Sequence, residues 1–291
     1  MDGTVERNLP DLVVFPSCAK EIEEIVQLSK DFKVPITPRG AGTGLSGGAV
    51  AAKGGIIVGM ARLRKILEID PVNRIAIVEP GVPNIDLTSS AAKHGLFYAP
   101  DPSSQKACTI GGNIAENAGG PHCLALGVTT NHVLGMEIVT ANGETMWLGG
   151  KTPESAGFDL RGLFVGSEGT LGITTKIIVK LLSLPASVTT MLAIFNNIED
   201  ACRAVSGIIQ GGLIPAALEL IDKVTLQAAE AGLNCGYPPD AEAVLLIEFD
   251  GLEQVVEKQI KQAEEACLDQ GATEIRKAQS STERELLWKG R

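Results

Sequence analysis

The residues whose types and spacing best suit chemistry form one run, Pro38-Arg39-Gly40-Ala41-Gly42-Thr43-Gly44-Leu45-Ser46-Gly47-Gly48. A backbone so bare of side chains can turn through positive φ and aim several N–H groups at one oxyanion. Thr43 and Ser46 add hydroxyl donors, so a phosphate or pyrophosphate is the natural guest. Read literally, Gly42-Thr-Gly44-Leu-Ser-Gly47 matches the dinucleotide pattern G-x-G-x-x-G, which has meaning only where a helix starts at the loop and runs on. Here Gly54-Gly55 interrupts and the apolar run Ile56–Met60 follows, leaving no room for a Rossmann helix. A P-loop fails as well, because no Lys-Ser/Thr follows the second glycine. The stretch either binds a pyrophosphate in another architecture or is a flexible turn.

Two more stretches repeat the theme. Thr109-Ile-Gly111-Gly112-Asn113-Ile-Ala115-Glu-Asn117-Ala-Gly-Gly120 carries paired glycines at both ends, and Val165-Gly-Ser-Glu168-Gly-Thr-Leu-Gly172-Ile173 carries one every third residue. Either alone reads as close backbone packing. Together they predict a long ligand approached by backbone along its length. The histidines His94, His122 and His132 have no ligand spacing, so no metal site is predicted. His122 and His132 read as hydrogen-bonded surface residues, and His94 as a partner of a helix C-terminus. The cysteines at 18, 108, 123, 202, 235 and 267 contain no C-x-x-C pair and read as reduced, mostly buried thiols.

The elements that must position these residues follow from periodicity. Apolar spacing predicts a helix over 17–32 with Ser17 as N-cap, another over 84–94 stopped by Gly95, and strands at 34–37, 56–60 and 75–78. Asn142-Gly143 between 136–140 and 144–148 is a hairpin signal, and 171–182 reads as a long strand. After Leu184-Pro185 the pattern alternates: strand 188–195, helix 198–209, strands 216–221 and 244–249, helix 252–268. In that last helix Leu252, Val255, Val256, Ile260, Ala263 and Cys267 share a face. Such an order predicts a split βαβ, ferredoxin-like unit. The chain stops at Leu287-Trp-Lys-Gly-Arg291, in the middle of an apparent helix, which reads as a fragment.

Composition narrows the classes. The 291 residues are 44% hydrophobic and 21% charged, ordinary for a soluble protein, and the net charge of -10 disfavours a nucleic-acid partner. The N-terminus lacks a signal peptide's pattern and no apolar run is long enough to span a bilayer, so a cytoplasmic protein is expected.

The blocks PRGAGTGLSGGAV, APDPSSQKACTIGGNIAENAGGP, VLGMEIVTANGE and GSEGTLGITT, in this order, closely resemble the FAD-linked oxidase family, whose flavin fold is that of vanillyl-alcohol oxidase (PCMH-type), on its glycolate oxidase D subunit and D-lactate dehydrogenase branch. The resemblance runs from about residue 10 to 291. It implies an α+β fold: a two-subdomain FAD-binding domain over 8–187, with a break near 60, and a partial ferredoxin-like cap domain over 188–291. It implies FAD as cofactor, bound without a covalent link because the glycine loop has no histidine. Pro38, Arg39, Gly40, Ala41, Gly42 and Thr43, with Ser46 and Gly47, would cradle the pyrophosphate. Pro100, Asp101 and Ser103 would border the flavin, and Thr109, Gly112, Asn113 and Ala115 its ribityl and ring region, with Gly111 and Asn117 beside them. Glu168, Gly172 and Ile173 would meet the adenosine half.

The activity so implied is oxidation of a small D-2-hydroxy acid, such as glycolate or D-lactate, by hydride transfer to FAD. Arg291 matches a place where relatives carry an arginine suited to a carboxylate. Relatives carry histidines and acids in a later region, so this chain alone is expected to turn over poorly. An iron–sulfur or other electron-transfer subunit is the expected partner, with any membrane association peripheral and through partners. Two readings stand beside this one: another flavin reaction on the same fold, and a non-redox module that binds a phosphorylated ligand or assembles a complex.

Overall fold

A computed structural model describes residues 7–153 and 157–291. These residues divide into two compact units, one of residues 7–120, 127–153 and 157–184, the other of residues 121–126 and 185–291.

The first unit opens with β1 (Leu12–Val14), α1 (Ala19–Phe32), β2 (Ile36–Arg39) and β3 (Ile56–Gly59). The three strands form a parallel sheet in the order β1-β3-β2. Helix α1 buries Ile22 and Val26 in a core with Val58, Met60, Leu63, Val139 and Ile173. Its N-cap position falls on Cys18, not Ser17. Ser17 instead donates its main-chain N–H to Glu21 Oε2 at 2.6 Å, so the acid one turn in does the capping and its carboxyl sits below the usual range.

A five-stranded antiparallel sheet follows, ordered β4-β5-β9-β7-β8 and built from β4 (Ile66–Asp70), β5 (Ile75–Val78), β7 (Val133–Thr140), β8 (Thr145–Gly149) and β9 (Gly172–Lys180). Between them lie α2 (Asn84–Ala92), β6 (Leu96–Phe97), α3 (Ile110–Glu116) and α5 (Leu160–Phe164), while α4 (Cys123–Leu126) belongs to the second unit; β10 (Leu182–Ser183) pairs with β6. Helices α2 and α3 pack Leu87, Ala91, Ile110 and Ile114 against Val78, Met136 and Ile177 of the sheet. The hairpin at Asn142-Gly143 forms, with Val139 opposite Thr145 and Gly143 at φ +78°.

The second glycine stretch folds as helix α3: Thr109 is an N-cap whose hydroxyl accepts from the Gly112 N–H, and Asn117 ends the helix in the left-handed region. The glycines serve packing. A Cβ on Gly111 would lie 2.5 Å from Pro80 Cβ, so only glycine lets the helix approach that turn.

The second unit is β11 (Ser187–Phe195), α6 (Ile198–Gln210), β12 (Ala217–Asp222), α7 (Lys223–Leu233), β13 (Ala243–Gly251), α8 (Glu253–Asp269), β14 (Glu274–Lys277) and α9 (Ser281–Lys289). The strands are antiparallel in the order β12-β13-β11-β14, the split βαβ arrangement of a ferredoxin-like sheet. One face buries α6 and α8 over Ala193, Leu245 and Ile247. The other carries Leu192, Val244 and Leu246 under Leu226, Tyr237 and Leu287. The buried face of α8 is Val256, Ile260, Ala263 and Cys267, while Leu252 (70% exposed) and Val255 (49%) point to solvent. Leu252 precedes the first turn as its N-cap, off the stripe. Helix α9 finishes at Lys289 with Gly290 as its C-cap. Helix α7 escaped the periodicity because it buries only Leu226.

Candidate functional site

The glycine stretches meet in one cleft of the first unit, with a volume of about 340 Å³. That is within the usual range for small-molecule sites, about 300–1,000 Å³. Strand β2 delivers Pro38 and Arg39 to its rim, and the chain then turns into the loop of residues 40–49. Gly42 (φ +70°) and Gly47 (φ +85°) supply left-handed turns in this loop. Arg39 folds back over this loop, donating from Nη1 to the Ala49 carbonyl at 3.1 Å. Loop and helix α3 approach until a Cβ on Gly40 would lie 2.6 Å from Thr109 Oγ1 and 3.8 Å from the Gly112 nitrogen. Both backbones therefore face one narrow space.

The third stretch closes another side. Glu168 holds a left-handed φ of +53°, donates its main-chain N–H to Ala115 O at 2.8 Å, and brings its carboxylate beside the glycine loop. A residue with a Cβ in that region stores about 1–3 kcal/mol, and such strain gathers at functional sites. Glu116 comes close to the same loop, its Oε1 3.3 Å from where a Gly44 Cβ would stand. These carboxylates accept hydrogen bonds and suit ligand hydroxyls, while the bare amides of the loop suit phosphate oxygens. Met60, Pro80, Cys108, Phe164 and Ile173 add apolar wall fit for a planar ring. The donor set matches a ligand that carries phosphates, hydroxyls and a ring together.

Of the residues singled out in the sequence, Pro38, Arg39, Gly40, Ala41, Gly42, Thr43, Ser46, Thr109, Gly111, Gly112, Asn113, Ala115, Glu168, Gly172 and Ile173 line the cleft. Gly47, Pro100, Asp101, Ser103 and Asn117 are not in its wall. Gly47 makes one of the loop's left-handed turns, the Pro100 carbonyl accepts from buried Asn84, and Asn117 caps α3 while its Oδ1 accepts from the Thr130 N–H. Met60, Pro80, Ser104, Phe164 and Thr174 were missed. No sequence signal marks Met60, Pro80 or Phe164, because an apolar wall residue looks like any core residue.

One histidine differs from expectation. His132 is buried (3% exposed), its ring edge-on to Tyr98, so the surface reading fails. Lys180 donates its N–H to the His132 carbonyl, tying that turn to β9. Three thiols, Cys108, Cys235 and Cys267, are buried, whereas Cys18 and Cys202 are exposed. In the second unit, Arg291 pairs through Nε with Glu219 at 3.0 Å, its guanidinium 6.0 Å from the Trp288 ring centre.

That unit also holds a buried acid the sequence did not reveal. Glu248, in the middle of β13, accepts from Trp288 Nε1 at 2.7 Å and from Thr190 Oγ1, with His122 Nε2 at 3.4 Å and Arg284 Nε at 3.6 Å. Burial pushes its carboxyl up, but the hydrogen bonds from His122, Thr190 and Trp288 and the Arg284 charge outweigh it, and it lies below the usual carboxylate range. Asp250, two residues along, is pushed the other way, chiefly by burial.

Residues 10–149 match the family described as FAD binding domain, and residues 184–291 match FAD linked oxidases, C-terminal domain. The chain belongs to the FAD-linked oxidase family. Its cofactor is FAD. It is 47% identical over 285 residues to glycolate oxidase subunit GlcD of Escherichia coli (strain K12), covering 98% of this chain and 57% of that protein. It is 44% identical to the Bacillus subtilis (strain 168) protein of that name, covering 98% and 61%, and 37% identical to a D-lactate dehydrogenase of Anaerostipes hadrus, covering 96% and 60%. The chain thus spans about three fifths of the length of the curated relatives it matches. Solved structures of an alkyldihydroxyacetonephosphate synthase (TM-score 0.80, 24% identity, 96% of this chain and 58% of that one) and of p-cresol methylhydroxylase (0.75, 19%, 94% and 60%) share the fold. The architecture is therefore the α+β one expected, a PCMH-type flavin fold followed by a ferredoxin-like unit. Among the described residues no helix is long and apolar enough to cross a membrane.

Proposed function

We propose that the chain carries the FAD site and substrate-side unit of an oxidoreductase that converts a small 2-hydroxy acid, achiral glycolate or a D-isomer such as D-lactate, to its 2-oxo acid. The observation that carries this reading is the glycine-walled cleft, in a chain whose relatives are named glycolate oxidase subunit and D-lactate dehydrogenase. Bound FAD supplies the hydride acceptor for the substrate Cα–H.

The residues of the chain bind and orient. The amides of residues 40–48 and the hydroxyls of Thr43 and Ser46 hold the pyrophosphate, and Arg39 braces that loop through Ala49. The loop contains no histidine, so FAD is held without a covalent link. Glu116 and Glu168 accept from cofactor hydroxyls, and Met60, Phe164 and Ile173 exclude water from the ring. Arg291, now paired with Glu219, grips the substrate carboxylate through its guanidinium fork. In this reading the boundaries fall at 8–187 for the flavin domain, with a break near 60, and at 188–291 for the cap. It places the chain in the cytoplasm and gives it an electron-accepting partner subunit, in keeping with the word subunit in two relatives' names.

The test is the visible spectrum of the purified chain followed by a substrate screen. A yellow protein that releases FAD on acid treatment, and whose flavin is bleached by D-lactate or glycolate, supports the reading. A colourless protein that refuses added FAD overturns it. Bleaching only by an unrelated alcohol moves the chain to another flavin reaction.

A further inference from the structure

Behind one wall of the cleft runs a line of buried amides that the proposed reaction leaves unused. Asn84, the first residue of α2, is fully buried, a rare place for its type. Its Nδ2 donates to the Pro100 carbonyl at 2.8 Å and to Asn113 Oδ1 at 2.8 Å. Its Oδ1 accepts from Gln105 Nε2 at 3.2 Å, and its main-chain N–H donates to the Cys108 carbonyl at 3.0 Å. Asn113, itself buried, passes the line on by donating from Nδ2 to Cys108 Sγ at 3.3 Å.

One residue, through its side chain and its main-chain N–H, thus ties together three separate pieces: the start of α2, both ends of the loop of residues 100–108, and the inward face of α3. Asn113, Cys108 and Ser104 line the cleft, whereas Asn84 does not. An asparagine amide offers two donors and a carbonyl oxygen, and here both donors and that oxygen are engaged. The site also demands an amide. The two groups that receive its protons are acceptors, so a carboxylate there would face oxygen on both sides, and an apolar residue would leave both buried acceptors unsatisfied.

We infer that Asn84 is a positioning residue for the FAD site: it locks Asn113 and the loop of residues 100–108 into the one arrangement of the cleft wall that accepts the cofactor. This rests on the reading that the cleft takes FAD. A residue that merely glued the core together would lower the melting temperature of flavin-free and loaded chain alike and leave the FAD dissociation constant alone. A positioning residue moves that constant, because binding must then re-order the wall.

The experiment strips flavin from the full chain and titrates FAD into the parent, Asn84→Asp and Gln105→Met, while the melting temperature of each flavin-free form is recorded. The parent's binding of FAD is the control for the underlying reading, and its failure would condemn that reading rather than Asn84. Given a parent that binds, Asn84→Asp is expected to raise the dissociation constant at least tenfold, and Gln105→Met, which strips only the outer donor from Asn84, roughly two- to threefold. A lower melting temperature with an unmoved dissociation constant overturns the inference. Should Asn84→Asp not fold, the result for Gln105→Met decides, and parent-like affinity there overturns it equally.

Discussion

Adding one methyl group at Gly42 should empty the cleft of FAD while leaving the fold standing. At φ +70° a residue with a Cβ pays about 1–2 kcal/mol for the left-handed backbone. That Cβ would also lie 2.3 Å from Arg39 Nη2 and 2.8 Å from its Cζ. The guanidinium must swing away and give up its bond to the Ala49 carbonyl. A hydrogen bond from a charged donor is worth about 1.5–3 kcal/mol when buried, and Arg39 is only partly so, which places this loss near the lower end. Together the two effects amount to about 2–4 kcal/mol, or roughly 30- to 1,000-fold in a dissociation constant. Relaxation of the flavin-free loop moves that cost from stability to affinity.

The assay is FAD titration followed by flavin fluorescence, with Gly95→Ala as companion. Gly95 has the same φ of +70°, but a Cβ there meets nothing within 4 Å, and the residue is outside the cleft wall. Gly95→Ala should lose about 1–2 kcal/mol of stability and keep the parent's FAD affinity. Parent-like affinity in Gly42→Ala, or an equal loss in Gly95→Ala, would refute the argument that the loop conformation holds the cofactor.

Three further outcomes are expected. Glu248 sits below its ordinary range, so its ion cluster stabilises the folded chain above about pH 4.3 and that contribution fades as pH falls through the lowered value. Glu248→Gln should therefore cost about 2–4 kcal/mol near neutrality, with the gap to the parent narrowing in acid, as read from denaturant unfolding at several pH values. Native-state alkylation should label Cys18 and Cys202 quickly and spare Cys267, whose thiol burial pushes up to about 12; mass spectrometry of digests checks the order. Ile260→Ala should destabilise by about 2–5 kcal/mol, while Leu252→Ala, which faces water, should change stability by about 0.5 kcal/mol or less in thermal melts.

How far the primary structure could be read depended on how local the cause was. Helix α8 was legible because its apolar residues recur at helical spacing, and β13 because it is a run of buried apolar residues bounded by Asp240 and Gly251. The alternation of strand and helix after Pro185 was enough to imply the split βαβ sheet, since short connections leave few ways to bury both helices. The glycine loop was legible as a bare, tightly turning stretch because the requirement, glycine at positive φ, is met within ten residues. Order and combination of the glycine blocks then carried the flavin family.

What tertiary structure decided was everything that depends on distant residues meeting. Gly111 and Gly112 lie in a helix, and Gly111 is pressed against Pro80, which sequence could not show because the same lack of Cβ permits either flexibility or close approach. Met60, Pro80 and Phe164 become cleft wall only after β3, the turn before α2, and α5 have converged on it. His132 looked polar and exposed until the strand it precedes proved an inner one, paired on both sides. Asn84 and Glu248 were invisible for a related reason: a buried polar residue is defined by partners tens of residues away, and one-dimensional order records none of them. The sequence alone thus determined the flavin family, whose signature lies in local blocks; the fold decided which distant side chains wall the cleft, because only folding brings them together.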